Sequence, residues 1–408
     1  MCTLQQLNTP QYMLPPYSPL GKQWPLTADK VYLNHGSFGA TPTAVLQAQS
    51  AYQLAMEAEA IVHFIDELPQ LITTSKQALA RYVHADANNI AFVPNTTTGI
   101  NTILSGMPKQ AGQHWLTTNH AYGACASAFK HYALLNGCAV NVANVPYPIQ
   151  NEAQILQAIA DAVTPQTTVA LIDFITSATA TIFPVAAIIK HLQSKNITVI
   201  IDAAHAPGMV DFSIENLAPD YLVANCHKWI CSPKGSAFMY VAPQHQPHIY
   251  PLVISHYNDT AIGTAANWSN QHLWQGTKDY SAYLAVKDAL DYLPTLVNGT
   301  WATVMAHNHH LVVQAANLIA NTLGVALPTP VSMVGSICCI PMPNGAAPSH
   351  KFHSNTALKN TLFNKYNIEV MVTQFPAAPT QWLRISAQLY NSMAQYEYLT
   401  MCLQKIIG

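Results

Sequence analysis

Charge is scarce in this chain: 9% of its 408 residues are Asp, Glu, Lys or Arg, against about a quarter in an ordinary soluble domain. Arginine is almost missing, with only Arg81 and Arg384. No Lys/Arg run exists, and 17 basic residues against 19 acidic ones leave a formal charge of −2. A nucleic-acid or anionic-membrane partner therefore has no electrostatic footprint. Disorder is excluded as well, because half of the residues are apolar, more than a disordered chain carries. No segment approaches the ~18–20 uninterrupted apolar residues of a spanning helix; the longest run, ITVIIDAA at 197–204, has the length of a buried strand. The first twenty residues lack the basic start and apolar core of a secretory signal, so a cytoplasmic location is expected.

The eight cysteines show neither a CxxC pair nor zinc spacing, and a chain this long needs no staple for stability. Cys338 and Cys339 in SICCIPM are expected as small buried hydrophobes in a core strand. The HNHH run at 307–310 has no carboxylate or cysteine nearby, and no metal is expected there. GxGxxG and GxxxxGK[ST] are both missing, which leaves dinucleotide and nucleoside-triphosphate binding without support. A small molecule is the expected partner.

What is present is a regular alternation. IAFV (90–93), HWLTT (114–118), AVNVA (139–143), TVALIDF (168–174), ITVIID (197–202), DYLVAN (220–225) and SAFMYV (236–241) read as strands, with amphipathic stretches such as 121–135 and 152–163 between them. Such runs predict an α/β fold with a mainly parallel sheet covered on both faces, and a ligand site beyond the carboxyl ends of the strands. After about residue 280 long helical patterns (280–293, 301–322) lead into SICCIPM, NIEVMVT, QWLRISA and a last helix from about 392. The expected organisation is a proline-rich arm (1–29), a large domain (30–280) and a smaller α+β domain (281–408).

Two strand ends carry polar groups: Asp202 and His205 on one, Asn225, His227 and Lys228 on the other. A carboxylate and a lysine there form either a structural ion pair or the two contacts that pyridoxal phosphate needs, a lysine amine and an acid beside the ring nitrogen. FVPNTTTGIN (92–101) places Asn95, Thr96, Thr97 and Thr98 between a strand and a helix. That is a phosphate site or an ordinary N-cap.

DAAHAPG followed by LVANCHKWICSPKGSAFMYV resembles the cofactor-lysine region of the class V aminotransferase-like enzymes, the pyridoxal-phosphate fold type I group that includes cysteine desulfurases. VYLNHGSFGATP (31–42), AFVPNTTTGIN, NHAYGA and WLRISAQLYN are most similar to its isopenicillin N epimerase-like branch, which also holds carbon–sulfur lyases such as cysteine desulfhydrases and hercynylcysteine sulfoxide lyases. The resemblance spans about residues 30–400 and implies pyridoxal 5'-phosphate as cofactor. It implies Lys228 as the Schiff-base lysine and Cα base, Asp202 as partner of the ring nitrogen and His205 as partner of the phenolic oxygen. Thr96 and Thr97, joined by Asn225 and His227, would hold the phosphate; desulfurases often have Ser where this chain has Asn225. Thr277 in WQGTKDYSAY would reach the phosphate of the neighbouring subunit of a homodimer, or cap the following helix, or both. Arg384 would grip the substrate carboxylate with a fork that Lys cannot imitate. Of His120 and Tyr122, one would lie over the ring and the other face the substrate, and either is a candidate acid. Asn34 and His35 would approach the substrate, with Gly36 and Gly39 allowing tight turns.

The resemblance leaves the reaction among several. A carbon–sulfur β-lyase acting on a cysteine-derived amino acid is the first expectation, since it demands the fewest special groups. Amino-acid epimerisation is the alternative. A desulfurase needs a mobile cysteine, and MVTQFPAAPTQW (371–382), where that residue would stand, has none; transamination ranks lower still.

Overall fold

The computed structural model describes residues 13–258, 268–343, 355–376 and 380–407. Its strands are β1 (Val31–Tyr32), β2 (Ile90–Val93), β3 (His114–Thr118), β4 (Ala139–Ala143), β5 (Thr167–Asp173), β6 (Thr198–Asp202), β7 (Tyr221–Asn225), β8 (Ala237–Val241), β9 (Ile337–Pro341), β10 (Ile368–Glu369), β11 (Met371–Gln374) and β12 (Gln381–Ser386). Seven of them form one sheet in the order β2-β8-β7-β6-β5-β3-β4, in which β8 alone runs against the rest.

Successive residues of its central strands serve opposite cores. Ala170 and Ile172 of β5, with Val199 and Ile201 of β6, join Leu79, Ile188 and Tyr283 on one face. Val169, Leu171 and Ile200 join Ile100, Ile103 and Phe129 on the other. A strand covered on both faces has no room for polar residues until it ends. Asp173, Asp202 and Asn225 are the last residues of β5, β6 and β7, and Asp173 stands beside Asp202 in the parallel register. The strand pattern thus pushes polar groups together at one edge.

The second body is built on the antiparallel sheet β11-β12-β9. Cys338 and Cys339 are buried in β9 and free; alternation along the strand sends them to different apolar clusters. Two features cross the boundary drawn at residue 280. The helix Ser281–Thr295 packs Tyr283, Leu284, Val286 and Leu290 into the core of the large sheet; each such large side chain is worth about 1.5–3 kcal/mol when buried. In the other direction, β1 pairs in parallel with β10, Val31 beside Ile368, and Val31 and Leu33 join the apolar cluster of the C-terminal elements. NIEVMVT is accordingly two strands, not one: its first part completes the pair with β1, and its second pairs with β12.

Candidate active site

A cavity of about 140 Å³ opens beyond the carboxyl ends of β5, β6 and β7. Lys228, Asp202, His205, Asn225, His227, Thr96, Thr97 and Tyr122 all line it. Asn95, from the same candidate phosphate turn, lines it too, as do Asp173, Ser37, Phe38 and Ser177, none of which was singled out for this role from the sequence.

The helix Thr96–Gly106 begins at the cavity wall, with Asn95 as its N-cap accepting from Thr98 N at 2.8 Å. Asn225 accepts from Thr96 N at 3.0 Å through its side-chain carbonyl, a bond that uses neither of its two N–H donors. Thr96 Oγ1 is buried without a hydrogen-bond partner. A helix N-terminus with a spare hydroxyl beside an amide donor is suited to an anion. Thr97 lines the same edge. His227 donates through Nδ1 to the Ser236 carbonyl at 2.8 Å, and burial lowers it to about 4, so its Nε2 is bare near neutrality.

Lys228 sits half-buried in the loop after β7, and burial lowers its amine to about 8; Asp202 opposes that shift and Arg384 adds to it. Nζ is 3.1 Å from His205 Nε2. Asp202 accepts from Ala204 N at 3.0 Å, but its Oδ2 reaches no N–H or O–H donor. Burial raises both Asp202 and Asp173 from the usual carboxylate range. Asp173 accepts from Tyr122 N at 3.2 Å and so fixes the start of the helix Gly123–Leu135. A carboxylate ending TVALID, one strand over from Asp202, was the available signal for Asp173.

Arg384 rises from β12 and is 2% exposed. Its Nη1 donates to the Ser177 carbonyl at 2.7 Å and its Nη2 to Ser37 Oγ at 2.9 Å, while Nε is buried without a partner. No carboxylate pairs with it among the described residues. A buried, uncompensated guanidinium is costly, and the two serines that hold it both line the cavity.

Five expected site residues do not line the cavity: Arg384 stands behind its two serines, and His120, His35, Asn34 and Thr277 lie elsewhere. His120 is buried, with Nδ1 on Thr179 Oγ1 at 2.7 Å, Nε2 on the Val145 carbonyl at 3.2 Å and its ring 4.3 Å from that of Phe375; both ring nitrogens are spent, and it is a core histidine. Tyr122 is the member of NHAYGA at the cavity, 46% exposed. His35 is buried and turned away from substrate: Nε2 donates to the Lys228 carbonyl at 3.0 Å, and Nδ1 accepts from the Tyr390 hydroxyl at 3.0 Å. Asn34 accepts from Ser37 Oγ at 2.7 Å and thereby stands one residue behind Arg384. Gly39 does take a left-handed φ of 69°, and a Cβ there would lie 2.1 Å from the His227 carbonyl. Thr277 is exposed, and it does not cap the helix Ser281–Thr295; Asp279 accepts from Ser281 N instead, at 2.7 Å.

Of the unpartnered polar atoms here, Asp202 Oδ2 would suit a cationic ring nitrogen, Thr96 Oγ1 an anion and Arg384 Nε a carboxylate; Asp173 Oδ1 is unpartnered as well. The chain is 25% identical to isopenicillin N epimerase of Streptomyces clavuligerus over 390 residues, covering 93% of this chain and 95% of that one. It is 26% identical over 400 residues to a probable chloroplastic L-cysteine desulfhydrase of Arabidopsis thaliana, covering 91% and 82%. Its fold is that of the cystine C–S lyase C-DES, solved with cysteine persulfide, at a TM-score of 0.80 and 20% identity over 95% of this chain and 100% of the other. The aminotransferase class-V family matches residues 31–399, and the chain belongs to that family.

Proposed function

We propose that the chain is a pyridoxal 5'-phosphate enzyme that removes the Cα proton of a cysteine-derived amino acid and breaks its Cβ–sulfur bond. The observation that carries this reading is that the Lys228 amine and the unpartnered oxygen of Asp202 line one cavity. Bound there, the cofactor would act as the electron sink for the Cα carbanion. Asp202 Oδ2 would keep a proton on the ring nitrogen. Thr96, Thr97, Asn225 and His227 would hold the phosphate at the helix N-terminus, and His205 Nε2 would face the phenolic oxygen. Arg384 would exchange its serine contacts for the two oxygens of the substrate carboxylate, a bidentate pairing.

An amine lowered to about 8 is neutral in part at pH 7 and serves as the base for the Cα proton. Tyr122, half-exposed at the cavity, would lie over the ring or protonate the departing sulfur. No cysteine lines the cavity among the described residues, which favours release of sulfur over its capture; the segment 371–382 lies partly outside the described residues. The names of the relatives, L-cysteine desulfhydrase and hercynylcysteine sulfoxide lyase, support a lyase. A homodimer in which the exposed Thr277 reaches the neighbour's phosphate, and a cytoplasmic location, belong to the same reading.

The likeness to isopenicillin N epimerase supports a second reading, epimerisation at Cα. Incubation in D₂O with cysteine, cysteine conjugates and amino acids lacking a β-leaving group separates the two. The lyase releases a keto acid and a sulfur product, and only from substrates with sulfur on Cβ. Deuterium exchange at Cα with loss of optical activity and no keto acid overturns the lyase in favour of the epimerase.

A further inference from the structure

Trp229 follows the lysine, and its ring leaves the cavity to pack, fully buried, 4.8 Å from the His35 ring. Its indole Nε1–H donates to His205 Nδ1 at 3.2 Å, and His205 Nε2 meets Lys228 Nζ at 3.1 Å. An indole nitrogen donates and never accepts, so Nδ1 holds no proton. Burial, aided by the charge of Lys228, keeps the ring neutral. The single ring proton is therefore on Nε2, aimed at an amine that accepts it only when uncharged. The direction of this three-member chain is fixed by its first donor.

The other groups around the pair do not set that direction. Asp202, Asp173, Cys125 and Arg384 act on Lys228, and Arg384, His35 and His227 on His205. None of them bonds His205 Nδ1 among the described residues; His35 spends its ring on Lys228 O and Tyr390, and His227 spends Nδ1 on Ser236.

We propose that Trp229 is a positioning residue: its indole N–H locks His205 in the Nε2–H form, so that the histidine presents a donor to the Lys228 amine and to the phenolic oxygen of the cofactor. Without the indole, the ring proton is free to move to Nδ1, and Nε2 becomes an acceptor that favours the ammonium form of Lys228. The proposal rests on the reading of Lys228 as the cofactor lysine.

Two measurements test it. In ¹⁵N-histidine spectra of the cofactor-free protein, with His205 assigned from its loss in His205→Gln, Nε2 is expected to be the protonated nitrogen. A wild-type Nδ1–H form overturns the proposal, and this result does not depend on the cofactor. In the second, cofactor-free wild type and Trp229→Phe capture pyridoxal 5'-phosphate in stopped flow from neutral to alkaline pH. The wild-type rate is expected to rise with a midpoint near 8. In Trp229→Phe the midpoint is expected to move upward, with capture at neutral pH slower by about tenfold for each unit moved. Loss of packing alone would slow capture equally at every pH, and an unmoved midpoint in a folded variant overturns the proposal. Wild type that captures no cofactor at any pH overturns the cofactor reading instead, while the tautomer still decides the role of Trp229.

Discussion

Replacing Lys228 with Met converts the buried amine into a measurable stability difference. The amine titrates at 10.5 when exposed and at about 8 in the fold, chiefly through burial. Between those two values the unfolded chain binds a proton that the folded chain does not, so stability rises with pH across this window. Below it both states are protonated and the folded state carries the whole penalty; above it neither does. At 1.36 kcal/mol per unit, the gap amounts to about 3 kcal/mol. Met keeps the length of the side chain without a titrating group, so the pH dependence of the variant reports every other group. Urea titrations of the two cofactor-free proteins, followed by tryptophan fluorescence, should show wild type gaining about 3 kcal/mol on the variant between about pH 7 and pH 10.5. At neutral pH the variant should be the more stable. A difference that stays flat across the window refutes a desolvated amine at this position.

Other perturbations address single roles. Arg384→Lys gives up one charge-assisted contact to the substrate carboxylate, about 1.5–3 kcal/mol, so KM for the amino acid should rise by roughly 10- to 150-fold; an unchanged KM would make the arginine structural. Tyr122→Phe should depress β-elimination while Cα deuterium exchange persists if the hydroxyl protonates the departing sulfur, and an equal fall in both assigns the ring to stacking. Thr277→Ala should lose cofactor faster on dialysis at an unchanged melting temperature, and a monomer by sedimentation with full cofactor occupancy refutes the shared phosphate site. His227 lies at about 4 before the cofactor binds, so a phosphate oxygen at its bare Nε2 needs a proton between them. The bound state raises that value, so affinity should be full at low pH and weaken as pH rises through it; calorimetry in buffers of different ionisation heat that finds no proton uptake excludes the contact.

The seven strands of the large sheet were readable because they are short apolar runs, most of them separated by helices, and their polar ends follow from the same pattern. Lys228, Asp202, Asn225 and the Thr96 turn meet because parallel strands end on one side. His120 and His35 were not readable. Phe375, Phe183 and Tyr147 close around His120 from distant segments, and the partners of His35, the Lys228 carbonyl and Tyr390, lie far along the chain. NIEVMVT has a sound strand pattern, but periodicity names no partner, and here the partner changes at Val370. Ser37 and Ser177 carried no signal, since their importance comes only from the guanidinium they hold.

The short segment after β1 joins the two groups that would meet substrate. Ser386 N donates to the Leu33 carbonyl at 2.9 Å and Gly36 N to Ser386 Oγ at 3.0 Å, which ties the segment to β12 two residues from Arg384. Between those contacts and the lysine stands only His35, on the Lys228 carbonyl at 3.0 Å. Guanidinium and amine are thus the two jaws of a gauge, linked through the Leu33 carbonyl, the Ser386 hydroxyl and the His35 ring. Such a gauge measures the separation between carboxylate and amino group in whatever enters it. An α-amino acid has both on one carbon; a homologue with one more methylene between them is expected to fit these jaws less well.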